Sequence, residues 1–183
     1  MTTSTVRSAP TVAAPARRYR WWHAAAVGLA ANAVSALPRG FTGDAAFYND
    51  LDTPPGAPPD WLFPPVWAFN NATSLWSNLR IANLAPGVPG RAPALALEGA
   101  DWVLFASFSA LFFGLRSPVL GAAVTVASLG ATAGSVMLTA RLDRKAAWAL
   151  SPRLLWLAYA SYVATATAAR NRDELLGRTR RRP

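Results

Sequence analysis

Apolar residues run along this chain in five blocks, at about 21–38, 61–80, 94–115, 118–140 and 152–169, with Pro, Gly and Arg concentrated between them. The blocks are too long and too uniform for amphipathic helices, which keep a polar face toward water. Their lengths approach the ~20 residues that an α-helix needs to cross a bilayer. The pattern predicts an all-α membrane protein, a five-transmembrane-helix bundle over residues 20–170. A disordered basic tail is expected at 1–19 and a second basic tail at 171–183.

The breaks carry their own signals. Pro54, Pro55, Pro58 and Pro59 preclude a continuous helix over 40–60. Pro86, Gly87, Pro89, Gly90 and Pro93 mark a turn over 85–93. Residues 141–145 read as a short charged link, and Pro152 suits the first turn of the last helix. The uncharged core of that helix, 154–169, is short for a span, so Arg153 is expected to snorkel and lengthen it.

A few polar residues interrupt the blocks. Glu98 and Asp101 lie three apart and share a helix face. Charged residues within spans are rare, so the expectation is that the third span starts after Asp101 and both carboxylates are wet. The alternative is a polar lip at a pocket mouth, or a proton or cation site. Asn70 and Asn71 are expected to face protein and join helices, with a ligand contact as the lesser role. Gly130 and Gly134 form a G-x-x-x-G, read as close packing within the bundle ahead of a homodimer contact.

Composition agrees with a lipid environment: 52% of residues are hydrophobic and 15% charged, against about 25% charged in soluble domains. The formal charge of +9 is nearly all arginine, and it punctuates the apolar blocks. That distribution suits anchors at a membrane–water interface and argues against nucleic acid, which is met by a basic face or groove. Arg17 and Arg18 before the first block also fit a secretory or twin-arginine signal, but no small-x-small cleavage site leads into a soluble domain. The positive-inside rule does not choose an orientation. Arg7, Arg17, Arg18, Arg20, Arg80, Arg91, Arg141, Arg144, Lys145 and Arg153 would lie on one side, and Arg39, Arg116, Arg170, Arg172, Arg178, Arg180, Arg181 and Arg182 on the other.

Candidate chemistry is sparse. The chain has no cysteine, which excludes disulfides, thiolate metal sites and cysteine nucleophiles. His23 is the one histidine. It sits beside Arg20, Trp21 and Trp22, where an interfacial role outweighs axial ligation of haem. A zinc site or a Ser-His-Asp triad is not expected with one histidine. No catalytic residue and no metal ligand are assigned.

Three motifs carry a resemblance. Phe47-Tyr48, Leu51, Pro54, Pro58-Pro59, Trp61 and Pro65-Val66-Trp67 follow one another before and into the second block. Ser109, Phe112-Phe113-Gly114 and Pro118 follow in and after the third. Ala146-Ala147, Leu150, Pro152, Leu154, Trp156, Tyr159 and Ala160 lead into the fifth. In order and spacing this resembles the translocator protein (tryptophan-rich sensory protein) family over roughly residues 44–165. The chain departs from the family at Phe105 and Phe108, where Asn and Trp are usual, at Arg153, where Tyr is usual, and at Val163-Ala164, where Leu-Asn is usual. The distance from Tyr162 to Arg170 is too long for the cholesterol-recognition pattern reported in the family.

The resemblance implies a pocket between helices for a hydrophobic aromatic ligand, a tetrapyrrole such as a porphyrin or haem, with no other cofactor. Its wall would comprise Trp61, Trp67, Phe105, Phe108, Trp156, Tyr159 and Ala160, flat surfaces for a flat macrocycle. Tyr48, Leu51 and Pro54 would form a lid. The implied role is a receptor or carrier for sensing or transport, in a bacterial inner membrane as a multi-pass protein. Its partners would be the lipid bilayer and a small hydrophobic ligand. The alternatives are a membrane enzyme that degrades porphyrin, with Trp61 and Trp156 taking part, and a ligand-free structural subunit of a membrane complex.

Overall fold

The apolar blocks fold as helices. A computed structural model describes residues 18–37, 45–173 and 175–177. Among these, six α-helices follow in order: α1 (Trp21–Ala36), α2 (Ala45–Asn49), α3 (Phe63–Ala82), α4 (Arg91–Ser109), α5 (Pro118–Leu142) and α6 (Arg144–Arg170). A 3₁₀ turn, Asp60–Leu62, leads into α3, and a π-helical turn, Ala110–Gly114, prolongs α4. The N-terminal tail up to residue 17, the C-terminal residues 178–183 and the end of the first block at Pro38 lie outside the described residues.

The long helices α1, α3, α4, α5 and α6 alternate in direction. At one end Tyr19 and Asn83 exchange two hydrogen bonds of 2.9 Å each, tying the start of α1 to the end of α3. Arg91 donates to the Ala82 carbonyl at 2.8 Å, so the first residue of α4 satisfies an open carbonyl at the end of α3. At the other end the buried Asp173 carboxylate accepts from the Ser117 hydroxyl at 2.6 Å and the Val119 amide at 3.0 Å, fastening the start of α5 to the chain beyond α6.

The interior is polar and the surface apolar. Asn70, Ser74, Ser77, Thr132, Ser135 and Thr139 are almost fully buried, whereas Leu29, Phe69, Val103, Met137 and Leu155 stand exposed. That inverts the usual partition of a water-soluble domain. α4 with its π-helical extension and α5 are each long and apolar enough to cross a membrane. In α3 and α6 the inward-facing Asn70, Asn71, Ser74, Ser77, Arg153 and Ser161 dilute an otherwise apolar helix. An apolar plug of Ile81, Ala94 and Ala146, with Leu84, Leu95, Leu138 and Leu142 around it, closes one end.

Several boundaries differ from expectation for local reasons. α6 starts at Arg144, so 141–145 is helical on both sides of Asp143, and Pro152 sits inside α6, not in its first turn. Asp143 sets that start: its carboxylate accepts from the amides of Lys145 at 2.9 Å and Ala146 at 3.1 Å. α4 starts before Pro93, which falls in its first turn, where proline costs no hydrogen bond. Gly90 precedes it at φ 87°, a left-handed conformation that glycine adopts freely. The short helix α2 occupies part of the proline-rich segment. Of the G-x-x-x-G pair, Gly134 packs within the bundle, where a Cβ would lie 3.0 Å from Leu97, while Gly130 faces open space.

Asp143 also pairs with Arg80 at 2.6 Å. Burial alone would raise its pKa, but the Ala146 amide and the hydrogen bond and charge of Arg80 outweigh it and hold the carboxyl below its ordinary value of 3.8. We expect Asp143→Ala to destabilise the protein by about 1 kcal/mol at neutral pH, the usual size of a lost N-cap. Because the folded pKa is depressed, this stabilisation is complete above the ordinary value and disappears as pH falls through the folded one. Thermal unfolding of both proteins from neutral to acid pH checks this: the gap in Tm should hold at neutral pH and close in acid.

Candidate functional site

Midway along the bundle three charged side chains meet. Arg153 of α6 is 2% exposed, and Glu98 and Asp101 of α4 are each 4% exposed. The Arg153 guanidinium donates to Glu98 Oε1 at 2.5 Å and pairs with Asp101 Oδ2 at 3.0 Å. The hydroxyls of Ser128 and Thr132 on α5 lie beside the Asp101 carboxylate. The expectation that Glu98 and Asp101 are wet and precede the third span is therefore wrong, as is the expectation that Arg153 snorkels. Each charge is held inside because the others compensate it.

One turn further along α6 the interior changes character. Trp156 and Leu157 begin a cavity of about 340 Å³ bordered by α1, α3, α4, α5 and α6, within the ~300–1,000 Å³ of small-molecule sites. Its wall is aromatic. Trp67 lies 5.2 Å from Phe105, Phe63 lies 5.9 Å from Trp156, and Phe108 stacks on Phe112 at 5.3 Å between ring centres. The wide π-helical turn lets the consecutive residues Phe112 and Phe113 both line it, and π-helical turns recur at functional sites. Ser128 lines the cavity and also sits beside Asp101, so the ion cluster lies just behind the cavity wall, and none of its three charged residues lines the cavity itself.

The segment between α2 and α3 covers the mouth. The Tyr48 hydroxyl donates to the Pro58 carbonyl at 2.9 Å, and the Tyr159 hydroxyl donates to the Gly56 carbonyl. Asn171 exchanges two hydrogen bonds of 3.0 Å with the Asp52 backbone. Burial, with Tyr159 and Asp60 nearby, pushes the Tyr48 phenol up, so it is neutral and able to donate.

Of the residues expected in the wall, Trp67, Phe105, Phe108, Trp156, Tyr159 and Ala160 line the cavity. Trp61 does not: it lies on the 3₁₀ turn and is 67% exposed. Of the lid residues Tyr48 lines the cavity, whereas Leu51 and Pro54 do not. Sequence reasoning missed Phe63, Phe112, Phe113, Asn32, Ser35 and Thr125. Phe112 and Phe113 stood within a quoted motif, and a π-helical turn gives no simple periodic signal. Asn70 and Asn71 are buried between helices, as expected, and line no part of the cavity. His23 lies at the exposed start of α1, stacked on Trp22 at 5.4 Å.

A bundle of helices that buries its polar side chains and turns its apolar ones outward marks a helical membrane protein. Comparison with known proteins agrees. The sequence profile of the TspO/MBR family matches residues 24–170, and the chain belongs to that family. It is 28% identical over 138 residues to the tryptophan-rich protein TspO of Chlorobaculum tepidum, covering 75% of this chain and 84% of the relative.

The ion cluster beside the cavity can be tested directly. Arg153→Met leaves two buried carboxylates without their partner and is expected to cost about 3–5 kcal/mol. The triple variant Arg153→Met, Glu98→Gln, Asp101→Asn removes every charge and should recover most of that loss. Equilibrium unfolding in detergent measures both. A triple variant no more stable than the single one would show that the charges are not what the arginine satisfies.

Proposed function

We propose that this protein is a five-span integral membrane receptor or carrier for a planar hydrophobic ligand, a tetrapyrrole such as a porphyrin, held in the aromatic cavity. The observation that carries the reading is the cavity wall, where Trp67, Phe105, Phe108 and Trp156 offer flat surfaces around one cavity. Aromatic faces suit a conjugated macrocycle, and few polar groups are needed to orient it. Trp156 Nε1 and Thr167 Oγ1 are buried without hydrogen-bond partners among cavity-lining residues.

The outward apolar faces of all five long helices support the membrane part of the reading. Burying polar groups inside is what a bundle in lipid requires. Basic residues stack on aromatics at one end, Arg20 over Trp22 at 4.8 Å and Arg80 over Trp76 at 4.9 Å, as suits side chains at a headgroup layer. A bacterial inner membrane with several passes fits these continuous helices. The ligand would be sensed or moved rather than transformed.

Titration of detergent-purified protein with protoporphyrin IX, followed by tryptophan quenching and the Soret band, tests the proposal. Saturable binding near micromolar, about −8 kcal/mol, should weaken at least tenfold in Trp67→Ala and Trp156→Ala. Trp61→Ala, outside the cavity, should leave it unchanged. Uptake no better than partition into detergent, or equal losses in all three variants, would contradict it.

A further inference from the structure

The aromatic cavity has a charge character that its apolar wall conceals. Among the described residues that line it, Asp60 is the one with a charged side chain, and no arginine or lysine is among them. Asp60 sits on the 3₁₀ turn at the mouth, exposed, with Tyr48 nearby. Its Oδ1 accepts from the Trp61 amide at 2.8 Å, and no basic side chain pairs with it among the described residues. Arg116 lies over the ring of Phe47 at 5.6 Å, and neither of these two residues lines the cavity.

Hydrogen-bonding groups at the mouth share this bias. Tyr48 and Tyr159 give their hydroxyl protons to the Pro58 and Gly56 carbonyls, so each phenol oxygen offers a ligand only lone pairs. Pro58 and Pro64, which also line the cavity, have no amide proton to donate. Behind the wall at Ser128, the cluster of Glu98, Asp101 and Arg153 holds two carboxylates and one guanidinium. It is negative with both carboxylates ionised and neutral with one protonated, and in neither state is its net charge positive. A cleft with low-dielectric walls and charge of one sign focuses that field on whatever enters it.

We propose that Asp60 makes the cavity selective for the charge of its ligand. It favours planar aromatic molecules whose mouth-facing end is uncharged or carries an amine or other N–H donor, and disfavours those that place carboxylates there. This inference rests on the reading of the cavity as the ligand site and adds which ligands the site prefers. An ammonium or amide N–H at the mouth can donate to the Asp60 carboxylate, and a hydrogen bond to an ionised acceptor is stronger than one between neutral groups. A ligand carboxylate in the same place meets a like charge, with no cation in the wall to offset it. For a porphyrin the consequence is that an ester or amide of its side-chain carboxylates binds more tightly than the free acid.

Three forms of one macrocycle separate charge from shape: protoporphyrin IX with two carboxylates, its uncharged dimethyl ester, and its diamide with two alkylammonium arms. Each is titrated into the full chain in maltoside micelles and followed by tryptophan quenching, with Kd corrected for partition into empty micelles. Asp60→Asn removes the charge and keeps Oδ1 as acceptor for the Trp61 amide, so the turn stays capped. We expect the wild type to bind the free acid most weakly. Asp60→Asn should tighten the free acid and weaken the diamide, each by about two- to fivefold, the scale of one exposed charge pair, and leave the ester unchanged. Added salt should shrink the same differences. Asp50→Asn removes an exposed carboxylate that does not line the cavity and should change none of the three. Saturable binding with the free acid tightest, with affinities unmoved by Asp60→Asn, or with the same shifts in Asp50→Asn, would overturn the charge selectivity and leave the cavity as a ligand site. Saturable binding of none of the three would overturn the cavity reading and this inference together.

Discussion

The contact between Arg153 on α6 and Glu98 and Asp101 on α4 organises this bundle. Attraction between charges grows as the dielectric falls, and so does the penalty for leaving one unpaired. A register shift of either helix by a single turn would strand a charge in the interior. The contact therefore specifies how α4 and α6 align, while α5 adds Ser128 and Thr132 beside the same carboxylate. Small and hydroxylated residues along α3 and α5 continue this polar seam. They permit close approach where large apolar side chains would separate the helices.

Around that level the bundle is layered. Toward one end lies the apolar plug of Ile81, Ala94 and Ala146. Toward the other the interior opens into an aromatic cavity, with the segment between α2 and α3 tied across its mouth through Tyr48, Tyr159 and Asn171. The ion cluster lies between the two, behind the cavity wall at Ser128. The cover is held by a few hydrogen bonds, whereas the ion cluster behind the cavity is fully enclosed by packed helices.

Much of this was legible in the chain. The long apolar blocks announced the helices, because lipid and helix length are matched by simple arithmetic. Trp67, Trp156 and Tyr159 stand in the motifs, Phe105 and Phe108 stand where the chain departs from them, and all five line one cavity. Trp61 lies outside the cavity because it sits on the 3₁₀ turn before α3, where it is exposed. Glu98, Asp101 and Arg153 were misread for a shared reason. Each alone is costly inside a membrane, so single-residue reasoning moves each one to water. Only their meeting across 55 positions makes burial favourable, and a one-dimensional pattern does not display that meeting. The early start of α6 was hidden similarly, since Asp143 reads as a linker charge until its capping hydrogen bonds are seen.

The central claim is that all five long helices present apolar faces to lipid around a polar seam. The chain has no cysteine, so single cysteines can be added without a background. Leu29, Phe69, Val103, Met137 and Leu155 place one exposed site on each of α1, α3, α4, α5 and α6. Spin labels at these sites in liposomes, relaxed by oxygen or by a water-soluble nickel chelate, report lipid or water directly. The account predicts that all five are reached by oxygen and shielded from the chelate. Shielding confined to Val103 and Met137, with Leu29, Phe69 and Leu155 open to the chelate, would contradict it.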